Sequence, residues 1–429
     1  MERAVQRRYL GLTAAVAALA MATTVSGCGT VGGTGGDVTL KLVAADYNLD
    51  GGDGTKKYWD KLAKKFEAKN PGIKVDVQIY SWDDVDRKVG EMVKAGEAPD
   101  MAQIGAYADY AADGKLYSVP EMLSIPTQAN FVNALAETGK VNRVQYGMPF
   151  VASTRQLFYN KTLFEKAGIS GAPETWNELA ADAKKLKGKG VNYPFALPLG
   201  PEEAQAETLN WMLAGGSGYV DDIGTYSLNS ADNINAFEFL KTKLVMPGLT
   251  GPVAPGKLNR KAAFEAFAKG EVGMLNGHPS LMQQAEKNGV KYEMAPLPSS
   301  DGKARPSMGV ADWMMGFKQN GHRKEIGKFL DFAFDDENVL AFADEFDLLP
   351  VTVSASEKMA ADSKHQKVHK FLEALSSSQS YPSAKTSWAR VSENIKQEIG
   401  NAVEPNNTPG AVLGVLSREA AALDSAALQ

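Results

Sequence analysis

Strands and helices alternate from the first folded residues of this chain, and that order is what most restricts its fold. Val38, Leu40 and Leu42 form an apolar run. Tyr58, Trp59, Leu62, Ala63 and Phe66 then recur at helical spacing, and Asn70-Pro71-Gly72 stops the helix. Ile73, Val75, Val77 and Ile79 alternate with Lys74, Asp76 and Gln78, the period of a half-buried strand. The spacing predicts a helix over 83–95, ended by Gly96, and a strand over 101–104. This βαβ opening gives an α/β class, helices covering a mostly parallel sheet. Later segments are helix-rich, with helices expected over 175–187, 203–214, 231–243, 260–269, 324–334, 337–346 and 387–402. No internal repeat is visible.

The only cysteine is Cys28, directly behind Val25-Ser26-Gly27. Arg3, Arg7 and Arg8 precede an apolar stretch over 10–25, which is too short and wrongly flanked to span a bilayer. The segment reads as a secretory signal, and its Val-Ser-Gly-Cys end looks like a bacterial lipobox. That resemblance implies cleavage before Cys28, lipid on its thiol, and a chain tethered to the outer face of a membrane. The plain alternative is an ordinary secreted protein with one stray cysteine. Arg7-Arg8 leaves the export route, general secretory or twin-arginine, open. Residues 29–37 read GTVGGTGGD, a leash of about 15–20 Å root-mean-square span.

The remaining ~390 residues suffice for two lobes with ample core. With its one cysteine given to lipid, the exported protein must hold together by packing alone. Net charge is −5 with no basic run, which argues against a nucleic-acid partner. No Gly-x-Ser-x-Gly elbow, phosphate-binding glycine loop or cysteine nucleophile is present. Among 51 acidic residues a carboxylate pair for glycoside hydrolysis is always available, yet none stands out.

Several ordered segments resemble one family. Phe66 through Asn70-Pro71-Gly72-Ile73-Lys74-Val75, then Gly96-Glu97-Ala98-Pro99-Asp100, are similar to the opening of the family 1 extracellular solute-binding proteins, the maltose-binding-like group of sugar ABC importers. Gly147-Met148-Pro149-Phe150 through Leu157-Phe158-Tyr159-Asn160-Lys161 to Phe164-Glu165-Lys166 resembles the family signature, departing at Gln156, where a small residue is usual. Pro173 to Leu179, Lys269 to Gly277 and Leu348-Leu349-Pro350-Val351 match later landmarks. The resemblance covers residues 38 to 429. It implies the two-lobe periplasmic-binding-protein fold of type II, a hinge and an interlobe cleft. Chain crossings are expected near 148–151, 292–296 and 349–351. One lobe would then be 37–149 plus 296–348, and the other 150–295 plus 349–429. Residues 1–27 would be the signal peptide and 28–36 the tether.

A sugar site needs aromatic plates beside fixed donors and acceptors. Trp313 and Trp388 by position relative to the family, Trp82 and Tyr107 by their places just past strands, and Trp211 by its place before Gly215-Gly216 are each either a ligand plate or a core residue. Asp46, Tyr47, Ser153, His278 and Asp312 are candidate polar contacts; Asp312 and Trp313 are read together, one accepting and one stacking. The family often has a carboxylate where Ser153 stands, which puts a maltodextrin ligand in doubt. Arg155 could fork onto hydroxyls or an acid group, or form an ion pair. Replacing Trp313 or Trp388 by Ala is expected to cost sugar affinity at least about tenfold with little loss of stability. Trp59 and Trp176 read as packing residues.

Two motifs are read as decoys. Asp46 to Gly51 fits half of a calcium loop, but its twelfth position is Lys57 and not the bidentate Glu the ion needs. His365 and His369 have zinc-like helical spacing without the Glu between them, and read as a solvated face. The expected function is capture of a mono- or oligosaccharide by a monomer that carries no cofactor and delivers its cargo to membrane permease subunits. A non-sugar solute would bring acids such as Asp46 and Asp312 together for a polyamine, or Arg155 and His278 for an anion. A surface glycosidase is the enzymatic alternative.

Overall fold

A computed structural model describes residues 37–48, 52–375 and 377–427. Cys28, with the signal and tether expected around it, lies outside the described residues. Among the described residues no helix is long and apolar enough to cross a membrane.

Two sheets carry the architecture. The first runs in the order Ile73–Tyr80, Val38–Ala45, Met101–Ile104, Gly309–Gly316, Met148–Thr154. Its first three strands are parallel, and Gly309–Gly316 lies antiparallel to both of its neighbours. The second sheet runs Tyr292–Ala295, Gln156–Asn160, Val272–Gly277, Tyr193–Phe195. The chain therefore leaves the first sheet at Thr154 and enters the second at Gln156, with Arg155 alone between them.

Arg155 is held at this crossing by the Ser307 hydroxyl, which accepts from the Arg155 amide at 3.0 Å and donates to its carbonyl at 2.9 Å. Ser307 belongs to the segment returning to the first sheet. The Gln379 amide donates to the Ser307 carbonyl at 3.0 Å, and the Gly309 amide to the Gln379 carbonyl at 2.9 Å. A Cβ on Gly309 would come within 1.9 Å of the Ser378 hydroxyl, so only glycine permits this approach. Leu349 pairs with Ala152 through two backbone bonds of 2.9 Å. The segments through Arg155, Ser307 to Gly309 and Gln379 thus lie side by side at the crossing, with Leu349 beside the first-sheet strand that leads into it.

Helix positions follow from local chemistry. Thr175 and Glu178 form a reciprocal capping box for the helix Trp176–Gly188. Asn160 caps Lys161–Ala167, accepting from the Leu163 amide at 3.1 Å, and Gly168 ends it in the left-handed region at φ 66°. The strand period then sorts the core. Leu157 and Met274 face one side of the second sheet, toward Trp211, Ile395 and Leu413, whereas Phe158 and Leu275 face the other, toward Phe267 and Phe371. On the first sheet the core is continuous from Leu40 and Leu42 through Trp59 and Phe150 to Phe329 and Phe342. Trp59 is fully buried and Trp176 is 6 % exposed, as packing residues should be.

The pairing of Gly309–Gly316 with Met148–Thr154 slips between Asp312 and Trp313, which face Val151 and Pro149 and leave Phe150 over. Pro149 has no amide to give to a ladder, and a bulge accommodates it.

Candidate functional site

The cleft-forming loops leave the C-terminal ends of the parallel strands, where open α/β sheets place their ligands. Asp46 and Tyr47 follow Val38–Ala45, Trp82 follows Ile73–Tyr80, and Gly105-Ala106 follow Met101–Ile104. They face Ser153, Arg155, Glu202, Glu203, Arg260 and His278, contributed by the crossing and the second sheet's loops and helices. Trp388, Glu393 and Lys396 come from the helix Trp388–Glu398, and Tyr381 from the segment before it. Together these groups line a cavity of about 300 Å³.

Eight of the eleven sequence candidates meet there: Asp46, Tyr47, Trp82, Ser153, Arg155, His278, Asp312 and Trp388. Tyr107, Trp211 and Trp313 do not line it. Neighbouring strand residues point to opposite faces, so Asp312 and Trp313 cannot share one cavity. Trp313 is 3 % exposed and packs on Tyr107 at 5.0 Å between ring centres. A Cβ on Gly147 would lie 2.8 Å from Trp313 and 2.9 Å from Tyr107, so that glycine makes room for both rings. The Tyr107 hydroxyl donates to the Thr138 carbonyl at 2.6 Å. Trp211 lies against Phe195 and Trp176, inside the second core.

The polar groups form two linked sets. On the first-sheet side, Tyr47 donates to Asp312 Oδ2 at 2.6 Å and accepts from Gln103 Nε2 at 2.7 Å. Burial pushes the Asp312 carboxyl up to about 7. Asp46 accepts from Thr55 Oγ1 and from the Asn48 amide, which fixes the loop. Asp86 accepts from the Gly105 amide at 3.1 Å, and burial raises its pKa too.

On the opposite side Arg155, 4 % exposed, donates to Glu203 at 2.6 Å and to Ser153 Oγ at 2.9 Å. Arg260 pairs with Glu202 and, through Nε at 2.6 Å, with Glu203. Glu202 and Glu203 precede the helix Ala204–Gly215, whose N-terminus favours negative charge. His278 lies 3.3 Å from Arg260 Nη1; burial and both arginines hold it well below the usual imidazole range, so it is neutral. Beneath this layer Glu207 accepts from Trp211 Nε1 at 2.7 Å and Asn276 Nδ2 at 2.9 Å, and burial pushes it up to about 7.

The aromatic groups flank these sets. Trp82 is half-buried and meets Tyr47 edge-on at 5.6 Å. Tyr381 stacks on Trp388 at 5.1 Å with 27° between the planes. Trp388 is 2 % exposed, so only an edge of its ring reaches the cavity.

Glu202, Glu203, Arg260 and Tyr381 escape sequence reasoning. The first three look like ordinary helix starts, and nothing local shows that the two glutamates neutralise both arginines. Tyr381 does stand beside Trp388 in the segment Tyr381-Pro382, a signal that could have found it. The decoys resolve partly. His365 ends a 3₁₀ turn and His369 opens the next helix, so the two do not share one helix face. His365 is largely covered, not solvated, and lies 2.6 Å from Asp344. Residues 49–51 of the calcium-like loop lie outside the described residues; Lys57 pairs with Asp53.

The family model for "bacterial extracellular solute-binding protein" matches residues 52–339. A binding protein of Brucella abortus is 30% identical over 317 residues, 73% of this chain and 76% of that one. An sn-glycerol-3-phosphate-binding periplasmic protein of Shigella dysenteriae is 26% identical over 322 residues, 69% of this chain and 71% of the other. An ABC-transporter solute-binding protein from Thermotoga lettingae, solved with α-D-tagatose, superposes with a TM-score of 0.77 at 20% identity, over 90% of this chain and 99% of that one. That likeness carries the two-lobe, maltose-binding-protein-like fold. The match covers most of the chain, and this protein belongs to the bacterial extracellular solute-binding proteins, which bind solutes and are not enzymes.

Proposed function

We propose that this chain captures a mono- or oligosaccharide in the cleft and delivers it to the permease of an ABC importer. One observation carries the reading. Aromatic rings (Trp82, Tyr381 and the edge of Trp388) stand around one cavity with carboxylates and arginines that are already oriented by hydrogen bonds. Apolar C–H faces of a pyranose suit the rings, and hydroxyls suit the charged acceptors and donors. Capture needs no chemistry: ligand docks on one lobe, and contacts to the other stabilise the closed state.

The three segments passing through Arg155, Ser307 to Gly309, and Gln379 serve as the hinge in this reading. The chain is held at the membrane's outer face by lipid on Cys28 and works as a monomer. Calorimetric titration of the full chain, purified in detergent, against neutral, amino and phosphorylated sugars tests the ligand. Micromolar binding, about −8 kcal/mol, is expected for one sugar series. Binding of only non-carbohydrate solutes contradicts it. Metabolic labelling with a fatty acid tests the anchor: label is expected on the native chain and absent from Cys28→Ser.

A further inference from the structure

The cavity is polarised. From the first-sheet side it receives four carboxylates, Asp46, Asp83, Asp86 and Asp312, and among the described residues no Lys or Arg. From the other side come Arg155, Arg260, Lys261 and Lys396, but with Glu202, Glu203 and Glu393 among them. Seven acids therefore face four bases.

Pairing sharpens this imbalance. Both guanidinium groups are committed: Arg155 to Glu203 at 2.6 Å, and Arg260 to Glu202 and, at 2.6 Å, to Glu203. A phosphate or carboxylate ligand would meet guanidinium groups whose charge Glu202 and Glu203 already offset, and would add a further negative charge beside both glutamates. Asp312 and Asp86, on the first-sheet side, have the opposite condition. Asp312 accepts only a phenol hydroxyl, from Tyr47, and Asp86 accepts backbone amides, from Gly105 and Ala106. Among the described residues neither forms an ion pair with Lys or Arg. Across the cleft Lys396 draws the Asp86 pKa down and Glu393 pushes it up, while Glu203 pushes the Asp312 pKa up and Arg155 draws it down. Neutral hydroxyls could satisfy the lone pairs of these carboxyl groups but would not favour their ionised form, which burial resists. An ammonium group does both.

We infer that the ligand is an amine-bearing sugar, an aminodeoxy sugar or an oligomer of one, whose ammonium sits against Asp312 and Asp86 while its ring lies along Trp82 and Tyr381. The inference rests on the carbohydrate reading and adds the charge of the cargo. Both free-amine carbohydrate and an N-acetylated one offer the same ring, but only the free amine supplies the cation.

Matched series decide it. The full chain is titrated at pH 7 with D-glucose, D-glucosamine, N-acetyl-D-glucosamine and D-glucose 6-phosphate, with the galactose counterparts, with cellobiose and its diamine analogue, and with putrescine and spermidine. In at least one series the amine should bind about tenfold or more tightly than its neutral, acetylated and phosphorylated partners. Asp312→Asn should collapse that ratio. Asp86→Asn, with folding of each variant checked by circular dichroism, gives a second reading should the first variant fail to fold. A neutral, acetylated or phosphorylated member that binds as well as the amine overturns the inference and leaves the carbohydrate reading standing. Binding of putrescine or spermidine alone overturns the carbohydrate reading, and with it the sugar half of the inference. No binding of any amine overturns the inference outright.

Discussion

The Tyr47 hydroxyl donates to Asp312 Oδ2 at 2.6 Å, tying the loop after the first strand to the antiparallel strand two places away in the same sheet. Gln103, on the strand between, donates to the same hydroxyl at 2.7 Å. Three strands thus fix one carboxylate at the cavity wall. Tyr47→Phe removes the donor to Asp312 and the acceptor for Gln103. It should cost about 1–3 kcal/mol in urea unfolding and loosen ligand binding as well. Unchanged stability would show that the hydroxyl is not part of the wall.

Breaking the pair on the opposite side should be more costly. Arg155 is 4 % exposed, and Glu203→Gln leaves it without its carboxylate. The expected loss is about 3 kcal/mol. Adding Arg155→Met should recover only part of it, because Arg260 also uses Glu203. Full recovery in the double variant, measured as a double-mutant cycle, would mean that Arg260 does not depend on that carboxylate.

Acidity provides a separate check. Burial raises Glu207 from 4.5 to about 7. A raised carboxyl holds its proton in the folded state over a range where the unfolded chain has released it. Its stabilising contribution is present in full below pH 4.5 and is lost as pH rises through about 7. Glu207→Gln keeps an acceptor for Trp211 and removes the titration. Relative to wild type, the variant should gain on the order of 3 kcal/mol between pH 4.5 and pH 8, because Glu207 itself is buried, at 5 % exposed. Parallel stability–pH curves for the two proteins would contradict the assignment.

The tryptophans should separate by burial. Trp313 is 3 % exposed and Trp388 2 % exposed, so Ala at either is expected to cost about 3–5 kcal/mol of stability. The burial of both rings departs from the sequence-based expectation that either could be replaced with loss of affinity but little loss of stability. Trp82 is the half-buried ring, and Trp82→Ala should weaken ligand binding about tenfold with a smaller stability cost. Thermal unfolding and titration of the three variants side by side measure this.

Much of the fold was legible because its signals are local. The strand expected over 101–104 is found as Met101–Ile104, and the helix expected over 324–334 as Arg323–Ala333. The helix expected over 231–243 continues, with wider hydrogen-bond spacing, through Leu240–Val245. The helix Pro409–Ala427 went unseen: its buried Leu413, Leu416 and Ala420 are sparse among small residues, although Pro at its first position is a start signal. At the cleft, Asp46, Tyr47 and Trp82 were readable as residues just past parallel strands. Trp313, next to Asp312 in sequence, lies on the opposite face of the strand and packs in the core, so adjacency in sequence does not bring the two into one site. The Glu202–Arg260 and Glu203–Arg155 pairs join segments 58 and 48 residues apart, and no local pattern announces them.

The most direct test of the central claim is a thermal-shift screen of the full chain against sugars, amino sugars, sugar phosphates, polyols, amino acids and polyamines. A ligand at a hundred times its dissociation constant stabilises by about 2.7 kcal/mol, easily seen as a raised midpoint. The account predicts a rise confined to one carbohydrate series and lost in Trp82→Ala. A rise with amino acids, polyols or polyamines, and none with any carbohydrate, would contradict it.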